Sequence, residues 1–177
     1  MYVIDSAVME LFILIGLIIL NGVFAMSEIA IVTARKARLS KQAADGDKGA
    51  KTALKLAEDP TNFLSTVHIG ITSIGILNGI FGEAILADPV SVWLQHFGLS
   101  VATSKVTAIV FVVVLVTYIS IVVGELVPKR IGQLNAEVIA ALVARPMQLL
   151  ALFTRPFVLL LSASTHAMLR LMGVRQN

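Results

Sequence analysis

Three apolar stretches, each long enough to cross a lipid bilayer as a helix, constrain this chain more than any other feature. A hydrocarbon core about 30 Å thick needs about 20 mostly apolar residues in helical form. The backbone must also satisfy its own hydrogen bonds there, which a helix does. The stretches run at residues 8–34, 62–86 and 101–127, the last centred on TAIVFVVVLVTYISIVV. Composition agrees: 57% of the 177 residues are hydrophobic and 14% charged, against roughly 45–50% and 25% for soluble domains. The expected class is an all-α membrane protein with three transmembrane helices. There is no cysteine, so no thiolate ligand, thiol nucleophile or disulfide is available.

The first stretch reads as a mature span and not a signal peptide. Asp5 and Glu10 stand near its start with no basic region there, and its apolar run exceeds the roughly 7–15 residues of a signal peptide core. Orientation follows from the connections. Seven Lys/Arg lie between Arg35 and Pro60, and none between Ala87 and Ser104. Short basic loops stay cytoplasmic, so the expected topology has the N-terminus outside and the C-terminus in the cytoplasm. The basic connection reads as a helical hairpin, ARKARLSKQAAD and KGAKTALKLAEDP, turned by DGDKG. It is a solvated face or a contact with anionic lipid or a partner.

The tail, 137–174, is apolar but punctuated by Arg145–Pro146 and Arg155–Pro156. Its pieces are expected as juxtamembrane helices in the interface, basic side chains toward headgroups. The alternative is a fourth span over 156–174, which would put the C-terminus outside.

Polar groups inside spans are costly and mark interiors or aqueous cavities. The first span carries Asn21, Ser27 and Glu28. The second carries Ser65, Thr66, His68, Thr72, Ser73, Asn78 and Glu83, with Gly70, Gly75, Gly79 and Gly82. The third carries Thr117, Tyr118, Ser120 and Glu125. At the end of the third span, Pro128 cannot donate to the carbonyl of Gly124 and clashes with it. A broken helix with a free Gly124 carbonyl beside Glu125 is expected, a plausible ligand pair for a hard cation. An oxygen-only donor set favours Mg²⁺, Ca²⁺ or Na⁺ over zinc or copper. Glu125 also has an alternative partner in Lys129 or Arg130, one helical turn on.

Three segments, LNGVFAMSEIAIVTARKARL, STVHIGITSIGILNGIFGE and GELVPKRIGQLNAE, resemble the transmembrane domain of the CorC/CNNM magnesium transporters. The resemblance covers nearly the whole chain. It implies a homodimer with three spans per subunit, a belt of juxtamembrane helices, and a cation site at Ser27, Asn78, Glu125 and the Gly124 carbonyl. Asn21, Glu28 and Gly79 are neighbouring candidates. It implies Mg²⁺ as the transported ion and Na⁺ as a possible coupling ion. Family members continue into CBS domains that bind ATP; residues 1–177 contain none and read as a membrane domain alone. Ser27 has the alternative of bonding its own helix at i−4, and Asn78 that of joining helices.

Three functions compete: Mg²⁺ export through an oxygen-lined site, cation sensing without transport, and structural assembly. No nucleophile–base pair or phosphate loop points to an enzyme, and no nucleic-acid partner is expected.

Overall fold

The computed structural model describes residues 2–174, with side chains from Ser6 onward. All its regular elements are helical. Helix α1 spans Tyr2–Thr33, α2 Lys36–Ala44, α3 Lys48–Glu58, α4 Pro60–Gln95 and α5 Val101–Ile121. A π-helical turn, Val122–Leu126, joins α5 to α6, Val127–Leu134; α7 spans Ala136–Leu171. Four helical stretches have the length and hydropathy of a bilayer span: Ser6–Thr33, Pro60–Gln95, Val101–Leu134 and Ala136–Leu171.

Two sequence expectations need correction. The third span is not broken at Pro128. It widens into the π-turn and continues as helix to Leu134. The tail is not cut into short pieces either. Pro146 and Pro156 lie inside one 36-residue helix. Each proline forfeits one backbone bond, but flanking Ala, Leu and Met residues are strong helix formers. Four helices therefore qualify as candidate spans where three were expected. Helix α4 likewise runs past Pro89 to Gln95.

The chain divides into two compact units. The first takes the N-terminal part to Ile29 with Gly70–Leu134. Its apolar centre joins Leu14 and Ile18 of α1 to Val112 and Val116 of α5, with Phe81, Ile85, Leu86 and Val90 of α4 packed against them. The outward side chains are also large and apolar, among them Phe12, Ile19, Val106 and Val114. A helix apolar all round belongs in lipid or in a large core.

The second unit takes Ala30–Ile69 with the chain from Asn135 onward. The expected hairpin is α2–α3, turned at Gly46, whose φ of +100° suits glycine. Asp47 caps α3 by accepting from the N–H groups of Gly49 (2.7 Å) and Ala50 (3.1 Å). Small buried residues, Ala50 and Ala53 of α3 with Ala140 and Ala144 of α7, let these helices pack closely. Arg38 pairs with Glu137 at 3.8 Å, and Thr66 of α4 bonds Thr154 of α7 at 2.9 Å.

In the first unit α6 is held against α1 through Gly132. A Cβ there would stand 2.8 Å from the Met26 carbonyl oxygen and 2.5 Å from Ile29 Cγ2. Backbone cannot yield as a flexible side chain does. Gly132→Ala is expected to cost about 1–3 kcal/mol as overpacking, read as a lower thermal unfolding midpoint in detergent.

Candidate cation site

Inside the first unit, α1, α4 and the α5–π junction enclose a cavity of about 150 Å³. Its polar lining is Asn21, Asn78, Thr117, Ser120 and Glu125; Gly75 and Gly79 form part of its wall. Nothing lies within 4 Å of where a Cβ would stand on either glycine. These two glycines therefore leave space, and do not serve here as helix–helix contact points.

The π-turn sets the register. Val127 N–H donates to the Val122 carbonyl five residues back. Pro128 has no N–H to return to the preceding turn. The wider turn thus absorbs the missing donor and one extra residue without ending the helix. It also frees the buried Gly124 carbonyl, which accepts from Asn21 Nδ2 at 2.9 Å. A Cβ at residue 124 would lie 3.2 Å from both Asn21 Nδ2 and the Ile18 carbonyl, so glycine permits the close crossing. The Gly124 oxygen is consequently engaged and not free.

Two buried oxygens give the cavity its character. Asn21 and Asn78 are 6% and 2% exposed. Asn21 spends its amide N–H on Gly124, and Asn78 Nδ2 donates to Ser120 Oγ at 3.4 Å. Neither Oδ1 has a hydrogen-bond partner. A buried acceptor left unsatisfied costs about 1–3 kcal/mol. Both oxygens therefore favour a donor or a cation as a partner.

The charges lie at one edge. Lys129 Nζ is 2.9 Å from Glu125 Oε1 and 3.4 Å from Glu28 Oε2, so one ammonium stands between two carboxylates. With all three ionised, the local sum is −1. The Lys129 pairing that the sequence left open as an alternative is present alongside the cavity position of Glu125.

Of the sequence candidates, the cavity gathers Asn21, Asn78, Gly79 and Glu125 along its lining, with Gly124 held by Asn21. It does not gather Ser27 or Glu28. Ser27 is fully buried and its hydroxyl donates to the Val23 carbonyl at 2.6 Å, and Glu28 reaches Lys129. Ser120 and Thr117 were visible as polar residues of the third span but were not singled out. The signal was their spacing: Ser120 is five residues before Glu125, one π-turn. Among the described residues no three His, Asp or Glu side chains gather as a metal cluster. Any cation here would therefore meet mainly neutral oxygens and a single carboxylate.

These features define a multi-pass helical membrane protein with a polar cavity among apolar helices. Residues 12–177 match the family described as CNNM: Cyclin M transmembrane N-terminal domain, and the chain belongs to that family. It is 50% identical over 170 residues to the UPF0053 protein sll0260 of Synechocystis, covering 96% of this chain and 38% of that protein. It is 32% identical to the UPF0053 protein YhdT of Bacillus subtilis, over 92% of this chain and 36% of the relative. It is also 32% identical to the polyamine export protein of Salmonella typhimurium, over 93% and 37%. The chain thus spans less than two fifths of the length of these relatives.

Removing the Lys129 ammonium leaves Glu28 and Glu125 facing without a counter-charge. Both carboxylates are about a third exposed, so solvent screens much of the effect. Lys129→Met is expected to lower stability by about 1 kcal/mol in chelator. Millimolar Mg²⁺ should restore the unfolding midpoint more than it raises that of the parent protein.

Proposed function

We propose that this domain moves a cation across the membrane through the Asn21–Asn78–Glu125 cavity, with Mg²⁺ as the cargo. The carrying observation is the pair of buried, unpartnered amide oxygens on two residues that line the same small cavity as Glu125. Mg²⁺ is a hard cation that takes oxygen ligands and keeps several waters. Amide, hydroxyl and carboxylate oxygens match that preference, and the local charge of −1 favours a positive guest over an anion. Ser120 and Thr117 add neutral hydroxyl oxygens to the lining.

Lys129 gives this site a mechanism. Its ammonium holds Glu125 in the absence of cargo. An incoming divalent ion competes for the carboxylate, and Glu28 retains the displaced ammonium. Loading then exchanges one pairing for another without stranding a buried charge. Access from alternate sides follows the general logic of irregular helices at ion sites, and the π-turn is the irregular element here. The net direction we propose is export, with Na⁺ a candidate coupling ion. The basic α2–α3 connection is proposed to lie in the cytoplasm. A homodimer, and regulatory CBS domains elsewhere in the full-length protein, are carried forward from the resemblance as proposals.

A second reading has one specific observation behind it. An alkylammonium group, that of Lys129, already sits 2.9 Å from Glu125, and relatives from Salmonella typhimurium and Escherichia coli are named polyamine export proteins. An organic polycation would use the same carboxylate. A sensor that binds without flux is the remaining alternative.

Flux into proteoliposomes, loaded separately with Mg²⁺ and with spermidine, separates these readings. The Mg²⁺ proposal predicts saturable Mg²⁺ flux, lost at least tenfold in Glu125→Gln while the variant stays folded. Spermidine flux without Mg²⁺ flux would move the assignment to the polyamine. Mg²⁺ binding with no flux of either would leave a sensor. Gly79→Ala is a finer probe: its Cβ has open space, so stability should hold within about 0.5 kcal/mol while flux falls severalfold.

A further inference from the structure

The second unit contains a larger cavity, about 630 Å³, whose chemistry is opposite to that of the cation site. Lys55, Arg145 and Arg155 line it, opposed by one acid, Asp59. Asn62 and Gln148 add amide groups. Its floor is apolar and firm, with Phe63 only 1% exposed. The α7 residues involved are 145, 148, 149, 151, 152 and 155, which at three- and four-residue spacing occupy one helical face. The Thr66–Thr154 hydrogen bond ties α4 to α7 beside it.

Among the described residues the ion pairs are Arg38–Glu137, Lys129–Glu28 and Lys129–Glu125. None of the three cavity cations belongs to one. Three unpaired cations against one carboxylate leave a surplus of two positive charges facing the same space. Guanidinium groups suit phosphate oxygens through paired N–H donors.

We propose that this cavity binds the phosphate headgroup of an anionic phospholipid. The apolar side of the cavity selects a lipid over a soluble phosphate. Leu149 and Leu152 are 57% and 63% exposed at its edge, and the outward surface of α7 continues apolar through Phe153, Phe157 and Leu160. A guest with a phosphate at one end and acyl chains at the other satisfies both surfaces. Basic pockets beside candidate spans are suited to such headgroups, each cation near the surface adding a similar increment of attraction. Lys55 comes from the connection whose seven basic residues set the expected orientation, so the headgroup would belong to the cytoplasmic leaflet.

The test is independent of ion transport. The purified chain in detergent is titrated with short-chain phosphatidylglycerol and with phosphatidylcholine, and bound lipid is read by native mass spectrometry. The wild type should prefer phosphatidylglycerol, and the preference should weaken with ionic strength. Arg145→Gln with Arg155→Gln should reduce it about thirtyfold. Arg145→Lys with Arg155→Lys should keep most of it, which separates charge from misfolding. Asp59→Asn should strengthen it, a gain that damage to the fold would not give. Equal binding of the two lipids, or an unchanged preference in the double glutamine variant, would overturn the proposal. Displacement of phosphatidylglycerol by inorganic phosphate at equal concentration would also overturn it, in favour of a soluble anion.

Discussion

The site depends on one hydrogen bond and the helix irregularity that permits it. Asn21 Nδ2 donates to the Gly124 carbonyl at 2.9 Å, and that carbonyl is available because Pro128 has no N–H and the chain runs as a π-turn from Val122 to Leu126. The bond joins α1 to the end of α5 across a sequence gap of 103 residues. It also spends the Asn21 amide N–H on the backbone, so that the buried Oδ1 is left without a partner. In a lipid-facing unit few other polar groups exist to do this. The surrounding centre of Leu14, Ile18, Val112 and Val116 adds packing but no direction. Polar groups provide orientation where apolar packing is permissive.

The same logic accounts for the charges. A lone carboxylate near hydrocarbon is costly. Glu125 is made tolerable by Lys129, and Lys129 is shared with Glu28. A shared counter-ion can be exchanged for a guest, whereas a cavity lined only by apolar groups offers a guest nothing. In the proposed mechanism the resting ion pairs and the loading step draw on the same triad.

Much of this was legible in the sequence. The spans, the basic hairpin and the junction at Gly124–Glu125–Pro128 followed from hydropathy, turn residues and proline chemistry. Asn21 and Asn78 were visible among the polar residues of the spans, and the resemblance singled out Asn78 for the site with Asn21 as a neighbour. What was misread came from propensity rules applied locally. Pro128 predicts a lost bond, but a sequence does not say whether the helix ends there or widens by one residue. Pro146 and Pro156 predict breaks in α7, yet a 36-residue helix carries both. Ser27 illustrates a different gap: one helical residue either way decides whether a hydroxyl faces a cavity or returns to its own backbone, and here it bonds Val23. Neither of the unpartnered amide oxygens is visible in sequence, since that follows from where each N–H donor is spent.

Calorimetric titration of the detergent-purified chain with Mg²⁺, comparing wild type with Asn78→Leu, tests the central claim most directly. Leucine has the same number of side-chain heavy atoms and the same branch point as asparagine, and removes the buried oxygen without adding charge. The account predicts one saturable site per chain in the wild type, weakened at least tenfold in Asn78→Leu, with the variant as stable as the wild type or more so in chelator, because an unsatisfied buried acceptor is gone. Equal Mg²⁺ affinity in the two proteins, or no saturable binding in the wild type, would contradict it.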